Sequence, residues 1–215
     1  STGPNSGKTR FSVTAFGLQQ DYFLTTSKVG TANAVLIANA DTGDDIVSLL
    51  PGGNSGTSAT PGAQSPPVPF TLRADISAGD GNDEITTGDA SDEVDGDPGN
   101  DRLLTNDGDD TIRGGTGDDK IDAGFGNDTN VHGDGDRDVI NGGKGGDRLF
   151  GDGGDDTISA GPDKPTATSV DELEGGPGND TLTGDGGNDK LWGDENLTFD
   201  CASDGSDSGA NAGSD

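Results

Sequence analysis

From Ala78 onward the chain repeats every nine residues. Units begin AGDGNDEIT at 78, TGDASDEVD at 87, GDPGNDRLL at 96, TNDGDDTIR at 105 and GGTGDDKID at 114. AGFGNDTNVH at 123 has one extra residue, after which GDGDRDVIN at 133, GGKGGDRLF at 142 and GDGGDDTIS at 151 resume the count. Six residues are inserted within 160–174, and GGPGNDTLT at 175 and GDGGNDKLW at 184 complete the run. The sixth position is Asp in all twelve units: Asp83, Asp92, Asp101, Asp110, Asp119, Asp128, Asp138, Asp147, Asp156, Asp171, Asp180 and Asp189. The eighth is Ile, Val or Leu in eleven; in the unit from 123, Asn130 stands there and Val131 follows. A disordered Asp/Gly segment would not keep this phase, and a short fixed period makes each unit one step of a stack.

The period predicts the step. Six residues rich in Gly and Asp make a tight turn, and the last three, such as Glu84-Ile85-Thr86, make a minimal strand. Two units give an 18-residue coil with two strands and two turns. Stacked coils bury the Ile, Val and Leu column between two narrow parallel sheets. This resolves a composition that otherwise reads as disorder. Leu, Ile, Val and Phe are 37 of 215 residues and the net charge is −29, under the roughly 20% apolar content expected of a folded chain. A thick-cored enzyme domain is therefore not expected. The acidity argues against a nucleic-acid partner, and no apolar run approaches the ~18 residues of a membrane span.

The repeat resembles GGxGxDxUx, the nonapeptide of the RTX (repeats-in-toxin) calcium-binding family, over residues 78–192. Stacked turns put carboxylates in rows about 4.8 Å apart, which repel unless a cation intervenes. Calcium takes about 6–8 oxygens from carboxylates and backbone carbonyls, and glycines expose those carbonyls. The resemblance implies ions between the turns of units i and i+2, bridged by the sixth-position Asp. Carried over, Asp83 with Asp101, Asp92 with Asp110, Asp101 with Asp119, Asp138 with Asp156 and Asp147 with Asp171 flank shared ions. The expected ligand set is the twelve sixth-position Asp residues with the turn glycines Gly79, Gly81, Gly99, Gly108, Gly115, Gly117, Gly143, Gly145, Gly154, Gly176, Gly178 and Gly187. Roughly 6–10 ions in two rows are expected. Ala90-Ser91, Thr129-Asn130, Asp136 and the glycine-poor turn before Asp171 mark weaker sites. Second-position Asp97, Asp134, Asp152 and Asp185 are expected to face solvent or supply extra ligands.

Residues 1–77 differ. TRFSVTAF at 9–16 alternates, with Phe11, Val13 and Ala15 on one side, and Asp21–Thr26 and Ala34–Ala38 are also short and β-rich. Ala40–Ser48, with Asp45 and Val47, fits the repeat template. This region reads as a β-rich cap or irregular solenoid start, with a Pro/Gly/Ser loop at 51–69. The roll is expected over 78–199, and 200–215 is a Gly/Ser/Asp tail expected to be disordered. The predicted fold is all-β, a right-handed parallel β-roll with this cap.

Other motifs weigh little. Gly3–Thr9 is one residue short of a phosphate-binding loop and has no preceding strand. His132 is the only histidine, so no Ser/His/Asp or Cys/His machinery exists; it is expected at the surface. Asp134, Asp136 and Asp138 mimic an EF-hand start without its Gly and Glu. No aromatic platform accompanies the acids for glycoside hydrolysis, since Trp192 stands alone. Asn127, Asn179 and Asn196 match the glycosylation pattern by chance, and the single Cys201 cannot form an internal disulfide. The expectation is a non-catalytic calcium-binding structural protein, outside the cell or on its surface. Its folding depends on calcium, and its partners are calcium and copies of itself in a filament, layer or matrix. The alternative is an accessory or adhesive module of a secreted enzyme or adhesin.

Overall fold

The computed structural model describes residues 8–15, 18–25, 35–40, 42–49, 73–162, 169–193, 198–200 and 210–212. Side chains are described only for 40, 42–49, 73–162 and 169–193. The loop at 51–69, the Gly3–Thr9 motif as a whole, Cys201 and Asn196 lie outside the described residues.

The described residues form strands and turns without helix. Leading strands are β1 (Lys8–Ala15), β2 (Leu18–Thr25), β3 (Val35–Asn39), β4 (Ile46–Ser48) and β5 (Arg73–Ser77). The repeat then supplies β6 (Glu84–Thr86), β7 (Glu93–Asp95), β8 (Arg102–Leu104), β9 (Thr111–Thr116), β10 (Lys120–Phe125) and β11 (Asn130–Gly135). Next come β12 (Val139–Lys144), β13 (Arg148–Phe150), β14 (Thr157–Ser159), β15 (Glu172–Glu174), β16 (Thr181–Thr183) and β17 (Lys190–Gly193), then β18 (Thr198–Asp200) and β19 (Ala210–Ala212). Even-numbered strands from β18 back to β4 form one sheet, continued by β1 and β2; odd-numbered strands from β19 back to β3 form the other. Within the repeat, neighbours pair in parallel at a shift of two units, as in Ile85↔Leu103 and Val94↔Ile112. This is the expected parallel β-roll.

The core lies between the sheets. Val47, Ile85, Leu103, Ile121, Ile140, Ile158 and Leu182 come from one, and Ile76, Val94, Ile112, Val131, Leu149, Leu173 and Leu191 from the other, none more than 4% exposed. Strand alternation also turns positions six and ten inward, so each apolar side chain has an Asp before it. Burying one such aliphatic side chain contributes about 1.5–3 kcal/mol.

Three features differ from the sequence reading. Strands β9 to β12 run six residues, because third-position residues pair as well: Gly135↔Thr116 and Phe125↔Lys144 extend strands, and Pro98↔Thr116 and Asp107↔Phe125 are isolated bridges. The turn is thus itself partly a ladder. The extra residue of the sixth unit is absorbed before β11, so Val131 takes the inward place opposite Ile112. Within the tail, Ala210–Ala212 pairs with β17; an open strand edge accepts any extended segment that supplies backbone partners. At the other end β1 and β2 form an antiparallel hairpin, and β1 pairs antiparallel with β4.

Candidate metal sites

Each sixth-position Asp ends a turn and points inward. One row holds Asp45, Asp83, Asp101, Asp119, Asp138, Asp156 and Asp180, and the other Asp92, Asp110, Asp128, Asp147, Asp171 and Asp189. All are at most 2% exposed. From Asp45 to Asp171, the backbone N–H of each donates to Oδ1 of the Asp one coil further on. In the first row Asp83 donates to Asp101 at 2.7 Å, Asp101 to Asp119 at 2.7 Å, Asp119 to Asp138 at 2.8 Å and Asp138 to Asp156 at 2.8 Å. In the second, Asp92 donates to Asp110 at 2.7 Å, Asp110 to Asp128 at 2.7 Å and Asp147 to Asp171 at 2.7 Å. All five Asp pairs read from the sequence are neighbours in these ladders. Asp45 joins them, its N–H donating to Asp83 Oδ1 at 2.6 Å, although the sequence-derived ligand set leaves it out.

The second carboxylate oxygen has no such use. Oδ2 of Asp83, Asp101, Asp119, Asp128, Asp138 and Asp156 is buried and accepts no hydrogen bond. A buried carboxylate oxygen without a donor costs several kcal/mol if charged, a cost that a bound cation or a proton offsets. Burial accordingly pushes Asp138 up to about 8, Asp101 and Asp110 to about 7, and Asp119, Asp128 and Asp156 to about 6. Backbone N–H donors from the ladder oppose the rise, and neighbouring carboxylates add to it, Asp109 at Asp128 among them.

The glycines fall in columns beside these acids. Second-position Gly79, Gly115, Gly143 and Gly176 lie in one kind of column. Fourth-position Gly81, Gly99, Gly108, Gly117, Gly145, Gly154, Gly178 and Gly187 lie in another. At the fourth position the carbonyl of the preceding coil aims at the glycine: Gly81 O at Gly99, Gly99 O at Gly117 and Gly154 O at Gly178. A Cβ there would overlap that oxygen. First-position glycines, missing from the sequence-derived ligand set, are as constrained. A Cβ at Gly142 would stand 2.6 Å from Asp147 Oδ2 and 2.7 Å from Ala160 O, and one at Gly114 would collide with Asp119 Oδ2. Carboxylate oxygens without donors beside columns of backbone carbonyls make an all-oxygen donor set. That chemistry fits calcium.

Second-position acids do more than the sequence suggested. Asp97, Asp134, Asp152 and Asp185 adopt φ of 65°, 73°, 66° and 56°, the left-handed region that Asp tolerates better than most residues. Their side chains are half-buried and reach back one coil. Asp97 Oδ2 accepts from Ser77 Oγ at 2.6 Å and Gly79 N at 3.2 Å, and Asp185 Oδ2 accepts from Ser159 Oγ at 2.6 Å and Gly161 N at 3.3 Å. They are therefore not simply solvated acids; each clamps a turn to its neighbour. A fifth-position ladder also went unread. Asn82, Asn100 and Asp118 connect through Asn100 N to Asn82 Oδ1 at 2.8 Å and Asp118 N to Asn100 Oδ1 at 3.1 Å. The recurrent Asn, Asp or Ser at that position was the available signal.

His132 is not an ordinary surface residue. Its side chain is 18% exposed and its Nδ1 lies 2.6 Å from Asp152 Oδ2. Its ring stacks on Phe150 at 4.5 Å between centroids and 9° between planes. Register explains this, since His132 and Phe150 are paired residues of β11 and β13.

A family model described as the RTX calcium-binding nonapeptide repeat (4 copies) matches residues 75–103, 95–129, 132–164 and 168–196. No curated protein and no solved structure matches the chain.

Proposed function

The chain belongs to the RTX calcium-binding nonapeptide-repeat family and its repeats take several calcium ions, and from this premise we propose an extracellular structural protein whose roll folds as it binds calcium. The observation that carries this reading is the pair of buried Asp rows whose second oxygens lack donors in Asp83, Asp101, Asp119, Asp128, Asp138 and Asp156. The sixth-position Asp residues and the turn carbonyls would hold the ions. Bound calcium supplies the positive charge that lets like-charged carboxylates share a row. Secretion into millimolar calcium then acts as a folding switch, since binding free energy is also folding free energy.

The reading as a subunit of a filament, surface layer or matrix draws on the strand edges. Among the described residues, β2 and β3 end the two sheets on one side and β18 and β19 on the other, and strand edges pair readily. A catalytic role is not part of the proposal. Far-UV circular dichroism against calcium tests the folding claim: a β spectrum is expected to appear with calcium and vanish with chelator. Electron microscopy and light scattering with calcium test assembly, with ordered polymers or sheets expected. A strictly monomeric chain would favour the accessory-module reading instead.

A further inference from the structure

Beside the calcium rows, three side chains of different kind converge on one shoulder of the roll. His132 leaves β11 at the coil that carries the extra residue, and Asp134 and Asp152 occupy second positions of successive coils. Ligand atoms of His132, Asp134 and Asp152 all lie within 4.8 Å of one another. We propose that His132, Asp134 and Asp152 form a separate site for one borderline transition ion, with Zn2+ the chemical type.

Donor chemistry separates this site from the calcium rows. Imidazole nitrogen suits zinc and its neighbours, whereas calcium prefers oxygen throughout. The ring is already oriented. Stacking on Phe150 fixes its plane, and Nε2 lies 3.3 Å from Asn130 Oδ1. With a metal on Nδ1, Nε2–H donates to Asn130 Oδ1, the outer-shell contact typical of a metal-ligating histidine. Nδ1 and Asp152 Oδ2 lie 2.6 Å apart, a hydrogen-bond separation that a proton on Nδ1 spans; a zinc ion about 2.0–2.1 Å from each takes that proton's place as the two groups part slightly. Asp134 completes three protein ligands, the number that leaves a fourth zinc position to water. Arg113 Nη1, 3.3 Å from Asp134 Oδ1, is half-exposed and free to swing away as the carboxylate turns. The alternative is an imidazolium protonated on both nitrogens that simply pairs with Asp152. A bound ion would staple two coils together where the extra residue interrupts the nine-residue count. The site needs a folded roll but no particular role for it.

Because His132 is the only histidine, its ring reports without any substitution. The full chain, labelled with 15N-histidine and saturated with calcium so that the Asp rows are occupied, is titrated with ZnCl2. The His132 Nδ1 resonance is expected to move to a metal-bound position and saturate at one equivalent. Equilibrium dialysis is expected to lose that equivalent in His132→Gln, and Asn130→Ala is expected to weaken it by about 10–100-fold. Circular dichroism checks that each variant still folds. A ring that ignores zinc and titrates as an ordinary imidazolium overturns the proposal. So does equal zinc uptake by the wild type and a folded His132→Gln.

Discussion

The two turn columns of the roll share one backbone ladder and differ at the first repeat position. One column has Ala78 there and then Gly96, Gly114, Gly133, Gly151 and Gly175. The other has Thr87, Thr105, Ala123, Gly142, Ala160 and Gly184. In the glycine column nothing but carboxylate and carbonyl oxygen meets at that point, as the overlap of a Cβ at Gly133 with Asp138 Oδ2 demonstrates. In the other, Thr87 and Thr105 are fully buried, and their hydroxyls donate to Thr105 O at 3.2 Å and Ala123 O at 2.9 Å. The same hydroxyls share their single proton with Asp92 and Asp110 and hold down part of the pKa rise that burial causes. The protein thus meets some of its polar demand from within on one side. On the other it leaves that demand to a cation.

Removing calcium should have the largest effect. With excess chelator both columns are expected to lose their ladders together, because each strand of one sheet feeds a turn of the other. Amide hydrogen exchange makes the comparison sharper at limiting calcium. Asp101, Asp119 and Asp138 N–H groups should lose protection at higher calcium than those of Asp92 and Asp110. Identical midpoints would break the distinction between the columns.

Acid is the next lever. Burial places Asp138 at about 8, Asp101 at about 7 and Asp119 and Asp156 at about 6, against 3.8 for a free Asp. Over that interval the calcium-free folded roll binds more protons than the unfolded chain, so its stability falls as pH rises. The contribution is fully present below the unfolded value and is lost as pH climbs through about 6 to 8. A calcium-free chain at pH 5 should therefore show more β structure by circular dichroism than at pH 8. Loss of β structure on acidification over that range would contradict the buried, donor-poor rows.

Much of this was legible in the sequence because the period fixes phase. Once Asp and Ile, Val or Leu recur at positions six and eight, strand alternation sends both inward, and the resemblance to the calcium-binding nonapeptide supplies pairs such as Asp83 with Asp101. What stayed hidden needed a third dimension. That Asp97 and Asp185 clamp the preceding coil depends on a left-handed φ at the second position, which a column mixing Gly, Asp and Asn only hints at. The zinc-type arrangement at His132 depends on which residues stack across coils, and the extra residue at Thr129-Asn130 obscured that register. First-position glycines looked like turn formers, whereas Gly114 and Gly142 are needed for space. The antiparallel β1–β2 hairpin was readable as two strands, but its pairing was not.

Substitutions at the first position test the comparison directly. Gly114→Ala pushes a methyl into Asp119 Oδ2 and Gly133 O, and such overpacking costs about 1–3 kcal/mol. In calcium this should appear as a lower thermal midpoint and a higher calcium requirement. Ala123→Gly, at the matching place in the other column, opens space where Ala123 is now fully buried. It should cost only about 0.5–1 kcal/mol through backbone entropy and leave the calcium requirement nearly unchanged. Equal shifts in calcium requirement would mean the columns respond alike.

The smallest expected effect is the most specific. Thr105→Val keeps the volume and β-branching of the side chain and removes only the hydroxyl that donates to Ala123 O at 2.9 Å. A neutral hydrogen bond contributes about 0.5–1.5 kcal/mol net, with a further penalty for a buried acceptor left short. The same hydroxyl also hydrogen-bonds toward Asp110 and lowers its pKa, so its loss should push that carboxyl further up. Two readouts follow from one change. In saturating calcium the thermal midpoint should drop slightly. Without calcium, the pH at which β structure is lost should move downward, because ionising Asp110 in the folded state then costs more. A variant that lowers stability but leaves the pH profile where it was would show that Thr105 merely fills space. The second column would then depend on its cation as fully as the first.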